Sequence, residues 1–196
     1  MVCLPTDTVY GIGADPFSRS AVTNLLAAKS RTRAMPPPVL VANEAQAAAL
    51  ISPSARIGEF AAVTRALIDN FWPGAFTIVL PANPAIGWDL GETHGTVALR
   101  MPDHPIALAL LEAVGPLAVT SANITSQPPA TTVCAAQAQL RDSVAVYLDG
   151  GTSPGGVPST IIQLDPSCPR SAQLIRFGAI SPSEIVAAAS LDIQGL

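Results

Sequence analysis

The chain has 196 residues, 49% apolar and 12% charged, with a net charge of −4. That mix fits one compact domain, residues 1–196, and excludes a disordered chain; the acidic balance disfavours nucleic-acid binding driven by the overall field. No apolar run reaches the ~20 residues of a membrane span and no signal-peptide pattern opens the chain, while Cys3, Cys134 and Cys168 have no CxxC spacing, so a reducing cytoplasm is expected and neither a disulfide framework nor a zinc knuckle is. Nineteen prolines and fourteen glycines then cut the chain into short segments. Val2 to Leu4 reads as the end of a strand that runs into a Thr/Gly-rich loop. Ser20 to Lys29 reads as a helix with Val22, Leu25 and Leu26 on one face. Pro38 to Ala42 is a short buried strand. Ala45 to Leu50 and Arg56 to Phe71 are helical, the second stopped by Trp72-Pro73-Gly74. Phe76 to Leu80 and Val97 to Arg100 are apolar strands, and Pro105 to Val114 is a helix ended by Gly115-Pro116. Leu117 to Thr120, Val144 to Leu148, Thr160 to Leu164 and Gln173 to Arg176 are further strands, with a weak helix at Ala135 to Leu140. Ser181-Pro182-Ser183-Glu184 is a capping box that opens a last helix to about Leu191. The order predicts an α/β fold: a twisted, mixed parallel and antiparallel sheet with flanking helices.

Six segments could carry chemistry. Pro5-Thr6-Asp7-Thr8-Val9-Tyr10-Gly11-Ile12-Gly13 sets hydroxyls, a carboxylate and two glycines directly after a strand. Glycine lets a backbone approach a ligand, although an ordinary Gly-rich turn fits the same pattern. Lys29-Ser30-Arg31-Thr32-Arg33 holds the chain's single lysine and three of its ten cations. Such a cluster suits a polyphosphate, or merely the negative end of a helix dipole. Arg100, at the end of an apolar strand before Met101-Pro102-Asp103-His104, suits a carboxylate ligand; His104 reads as a structural residue beside a helix start. Thr120 to Ser126 offers five hydrogen-bonding side chains in seven residues, for a ribose or phosphate or for its own turn. Asp149 to Thr160 reads as a Gly-rich flap or a long hairpin loop. Arg176 ends the last predicted strand of this set. Asp89 and Glu92 could pair as acid and base, with a solvated loop as the plainer reading. No GxxxxGK[ST], GxSxG or HExxH motif occurs, which removes P-loop, α/β-hydrolase and zincin readings.

Taken in order, PTDTVYGIG, the K-x-R cluster, FWPG at Phe71 to Gly74, ALRMPDHP, TSAN, DGG and a late Ser159-Thr160 followed by Arg176 resemble the YrdC-like family of threonylcarbamoyl-AMP synthases. The match runs from Leu4 to about Gly178 and is similar to the short, single-domain form. Trp88 to Thr96 resembles actinobacterial members in particular. The resemblance implies a YrdC-like fold with a concave, positively lined face, and a nucleotidyltransferase that joins L-threonine, bicarbonate and ATP into threonylcarbamoyl-adenylate and pyrophosphate. A tRNA threonylcarbamoyl-transferase complex would be the downstream partner, with direct tRNA contact a further possibility. It implies Lys29 and Arg31 as catalytic phosphate ligands, with Mg²⁺ bridging; Thr96, Ser121, Asn123, Pro129 and Arg176 as ATP contacts; and Thr8, Arg100, Val119 and Ser159 as threonine contacts. Arg100 would take the threonine carboxylate. No resident metal site is implied. The chain departs from the family pattern at Ser30 and Thr32 within the cation cluster, at Leu40 where some relatives have histidine, and at Ser126 where glycine is usual. Relatives have an N-terminal helix that is expected to be missing here. A noncatalytic RNA-binding module on the same face is the alternative reading.

Overall fold

The computed structural model describes residues 1–195. Ten strands form one mixed sheet: β1 (Val2–Leu4), β2 (Gly11–Ala14), β3 (Val39–Leu40), β4 (Phe76–Pro81), β5 (Thr96–Arg100), β6 (Leu117–Ser121), β7 (Val146–Tyr147), β8 (Thr160–Asp165), β9 (Cys168–Arg176) and β10 (Asp192–Gln194). Their order is β10-β9-β8-β4-β5-β3-β6-β2-β1-β7. Pairing is parallel for β1/β7, β3/β5, β4/β8 and β9/β10, and antiparallel for the rest. Six α-helices flank the sheet: α1 (Arg19–Ala28), α2 (Glu44–Leu50), α3 (Gly58–Phe71), α4 (Pro105–Val114), α5 (Val133–Leu140) and α6 (Pro182–Ala189). The expected mixed α/β architecture is therefore what the chain adopts.

Helix starts follow local chemistry. Ser18, Asn43 and Thr132 each accept a backbone N–H from three residues on, which satisfies a donor the helix leaves unpaired. Ser181 and Glu184 close the capping box reciprocally, with Pro182 in the first turn. Val22, Leu25 and Leu26 are the buried face of α1.

Three elements differ from the sequence reading. Gly11 to Ala14 is a strand rather than loop, and it lies against β6. A Cβ on Gly11 would fall 2.6 Å from Val119 Cγ1, so glycine is what lets the two strands meet. The helix predicted from Arg56 starts instead at Gly58, at φ +67°, with Ile57 separating it from a 3₁₀ turn over Pro53–Arg56. β10 was not expected; its three residues add to the sheet edge in parallel to β9.

Period-two alternation splits the central strands between two environments. Ile78 and Leu80, Val97 and Leu99, and Ile162 and Leu164 point into the main core, with Phe60, Leu67 and Phe76. A second cluster joins Leu4, Leu40, Leu117 and Val119 to Ala107 and Leu111 of α4. Thr77, Val79, Ala98, Arg100, Ile161 and Gln163 sit at the intervening positions and line a cavity. Among the described residues no helix is long and apolar enough to cross a membrane.

Candidate functional site

The cavity measures about 610 Å³, within the size range of small-molecule sites. The sequence proposed eleven site residues. Nine line this one cavity: Thr8, Arg31, Thr96, Arg100, Val119, Ser121, Pro129, Ser159 and Arg176. They come from strand ends and loops far apart in the chain, brought together by the sheet order. Lys29 and Asn123 are not among the lining residues.

The loop after β1 is braced by its own side chains. The Thr6 hydroxyl donates to the Val9 carbonyl at 2.7 Å, accepts the Thr8 N–H at 3.2 Å and contacts Thr8 Oγ1 at 3.0 Å. The Tyr10 hydroxyl donates to the Gly151 carbonyl at 2.7 Å and accepts the Gly150 N–H at 3.0 Å. It thereby ties the Asp149-Gly150-Gly151 turn to this loop. The flap folds down where the Gly156 N–H donates to the Thr8 carbonyl at 2.8 Å. A Cβ on Gly155 would meet the Asp7 carbonyl at 2.7 Å, so the approach needs glycine there.

Arg100 is 7% exposed and fully engaged by the protein. Its Nε donates to the Gly74 carbonyl at 2.9 Å, Nη1 to Thr8 Oγ1 at 3.0 Å and Nη2 to Asp7 Oδ1 at 2.6 Å. Burial lowers its pKa, and the Asp7 carboxylate opposes that shift. Arg176 donates through Nε and Nη2 to the Ser159 carbonyl at 3.0 and 2.8 Å, and through Nη2 to Ser159 Oγ at 3.0 Å. Burial lowers its pKa first, and the charges of Arg100 and Arg31 add to that. Arg176 thus feels the charges of both Arg100 and Arg31.

Arg31 differs from both. Its side chain makes no hydrogen bond or ion pair among the described residues, and its Nε is buried without a partner. Desolvation lowers its pKa. An unpaired cation at a cavity wall is costly until an anion arrives.

Lys29 sits behind the cavity wall. It is completely buried, and its Nζ donates to the Ser121 carbonyl at 2.5 Å, the Asn123 carbonyl at 2.7 Å, Asn123 Oδ1 at 2.9 Å and Ser121 Oγ at 3.3 Å. The ammonium is therefore saturated by the loop after β6 instead of facing the cavity. Burial, and secondarily the Arg31 charge, pull its pKa down to about 7, while the carbonyl oxygens around it favour the proton. Asn123 sits beside it. Its Oδ1 is taken by Lys29, and its Nδ2 donates to the Ile124 and Gln127 carbonyls at 2.9 and 2.7 Å. Both side chains shape the wall that presents Ser121.

Asp89 and Glu92 do not form an acid–base pair. Asp89 binds Arg19 at 2.9 Å and Arg33, while Glu92 lines the cavity. The hydrogen bond from Arg33 is the chief reason the Asp89 pKa is lowered. The Phe17–Trp88 stack, with ring centroids 6.0 Å apart, joins the same two segments. His104 sits at the start of α4 without a side-chain cap. Thr6, from the first loop motif, and Leu40, where some relatives have histidine, also line the cavity, as does Thr77, which the sequence reading did not single out. A lone threonine inside the apolar run Phe76 to Leu80 was the available signal for Thr77.

Known proteins match this chain across its length. A family model for the Sua5/YciO/YrdC domain, described as telomere recombination, covers residues 1–178. A Mycobacterium tuberculosis protein assigned as a threonylcarbamoyl-AMP synthase is 47% identical over 196 residues, covering 100% of this chain and 86% of its own. The Bacillus subtilis threonylcarbamoyl-AMP synthase is 36% identical, covering 95% of this chain and 52% of its own. The structure of Pyrococcus abyssi Sua5 complexed with L-threonine superposes with a TM-score of 0.86 at 33% identity, covering 98% of this chain and 55% of that one. The chain thus spans about half the length of the last two relatives. On the family match and these identities, the chain belongs to the Sua5/YciO/YrdC family.

Proposed function

We propose that this protein is a threonylcarbamoyl-AMP synthase, forming threonylcarbamoyl-adenylate and pyrophosphate from L-threonine, bicarbonate and ATP. The observation that carries the reading is Arg31: a half-buried guanidinium without a partner among the described residues, on a cavity wall shared with Arg100 and Arg176. That arrangement asks for a polyanion. Relatives at 47% and 36% identity bear the synthase name, and a structural relative was solved with L-threonine, which supports both substrates.

The chemistry suits the residues. Threonine is carboxylated on nitrogen by bicarbonate with loss of water. A carbamate oxygen then attacks the α-phosphorus, an O–P bond forms, and the bond to the departing pyrophosphate breaks. Both reactants are anionic, so the barrier lies in charge and alignment rather than in covalent help from the protein. Arg31 would neutralise the phosphates. Thr96, Ser121, Pro129 and Arg176 would frame the nucleotide, with Lys29 and Asn123 holding Ser121 from behind. Thr8, Arg100, Val119 and Ser159 would frame threonine. Mg²⁺ would arrive on the triphosphate: no cluster of three or more His, Cys, Asp or Glu side chains that could hold a metal occurs among the described residues, and Mg²⁺ is commonly bound through substrate phosphates. The product would pass to a transferase complex that modifies tRNA.

The test is pyrophosphate release with ATP, Mg²⁺, L-threonine and bicarbonate. Release that requires both threonine and bicarbonate is expected. Release independent of threonine, or none beside steeply salt-dependent RNA binding, overturns the assignment.

A further inference from the structure

Thr77 and Ser159 meet at the cavity floor, at 1% and 3% exposure. Thr77 lies on β4 and Ser159 just before β8, which pairs with β4 in parallel. Their hydroxyl oxygens are 2.7 Å apart. Arg176 Nη2 donates to the same Ser159 oxygen at 3.0 Å. The segment is clamped from behind by Gly178, where a Cβ would fall 2.4 Å from the backbone of Ser159.

Either hydroxyl can donate within the pair, and an anionic ligand on Ser159 would set the direction. Arg176 can only donate, so it occupies one lone pair of Ser159 Oγ. Thr77 Oγ1 has no other partner among the described residues. Were Ser159 to donate to Thr77, it would have no proton left for a ligand, and an anion can only accept. With Thr77 donating, both Ser159 lone pairs are filled and its own proton is left for the cavity. The Arg100 and Arg176 charges act on each other at this end, so an anionic oxygen is the natural acceptor.

Resting on the reading of Ser159 as a threonine contact, we propose that Thr77 is a positioning residue that makes the Ser159 hydroxyl a hydrogen-bond donor to an anionic oxygen of threonine. Thr77→Val removes the hydroxyl with little change of shape, and Thr77→Ser keeps it. Steady-state pyrophosphate release is measured for both, for Ser159→Ala and for the double variant Thr77→Val/Ser159→Ala, with ligand-free melting alongside. The expected result is a threonine KM raised about tenfold in Thr77→Val, the net worth of about one hydrogen bond. The ATP KM stays within about twofold, Thr77→Ser keeps near wild-type values, and the double variant is no worse than Ser159→Ala. A wild-type threonine KM in Thr77→Val overturns the inference, as does additivity in the double variant or a parallel rise of both KM values with a lowered melting temperature. If Ser159→Ala itself leaves the threonine KM unchanged, it is the Ser159 assignment that falls. If Ser159→Ala raises it and Thr77→Val does not, only the role of Thr77 falls.

Discussion

The cavity carries its positive charge in two ways. On the strand side, Arg100 and Arg176 end β5 and β9, and each is tied to backbone and side-chain acceptors. On the loop side, Arg31 follows α1 and its side chain has no acceptor among the described residues. The strand-borne arginines are fixed before any ligand arrives and contribute to the fold. The loop-borne one is held in reserve, since its charge gains a counterpart only from a bound anion. Pre-organisation and ligand demand are thus divided between neighbouring side chains, and a variant on one side should fail differently from a variant on the other.

The largest expected effect is at Arg100. Arg100→Ala leaves the largely covered Asp7 carboxylate without its cation and takes a donor from the Gly74 carbonyl. Breaking a buried pair by removing one partner costs about 3–5 kcal/mol, which urea unfolding without ligand would register. A loss below about 1 kcal/mol would mean the pair is not structural. Arg31→Ala should do the reverse. It is expected to reduce kcat/KM for ATP at least about tenfold, as loss of a phosphate clamp does, with the ligand-free melting temperature unchanged or raised. A clear loss of ligand-free stability would erase the contrast between the two sides. The substitutions at Thr77 extend the comparison to a neutral side chain on the strand wall, with a tenfold effect confined to threonine.

The smallest expected effect is the pH dependence set by Lys29. Its folded pKa is lowered to about 7 from 10.5. Between those values the unfolded chain binds the proton more readily than the fold does. Stability therefore rises as pH rises through this window. Cys3 acts oppositely only above about pH 9, because burial raises its thiol to about 12 from 9.0. Melting of wild type and Lys29→Met between about pH 7 and 8.5 isolates the lysine, and the variant should show the flatter slope. Identical slopes would mean that the carbonyl cage keeps Lys29 charged throughout.

Much of this was legible in the linear chain. The capping box at Ser181, the proline-opened helix at Pro105 and the apolar strands around Ile78 and Leu99 rest on local rules, and each appears where expected. Legibility failed where local chemistry misleads. Gly11 and Gly13 look like a turn, yet their missing side chains serve strand packing against Val119 and Leu117. Thr77 looks like a strand residue, which it is, but alternation turns it into the cavity. Asp89 and Glu92 read most plainly as a solvated loop, and spacing gave no sign that Asp89 would be held by Arg19 and Arg33.

By itself, the sequence determined which cations are scarce, which strands are apolar, where helices begin, and an ordered motif set that marks the family. Only the tertiary structure decided which cation faces the cavity. Lys29 and Arg31 are two residues apart, yet one is saturated by the loop after β6 and the other is left bare. The physical reason is that a side chain's partners come from segments about ninety residues away, such as Ser121 and Asn123 for Lys29, and spacing along the chain carries no record of who will be there to accept a hydrogen bond.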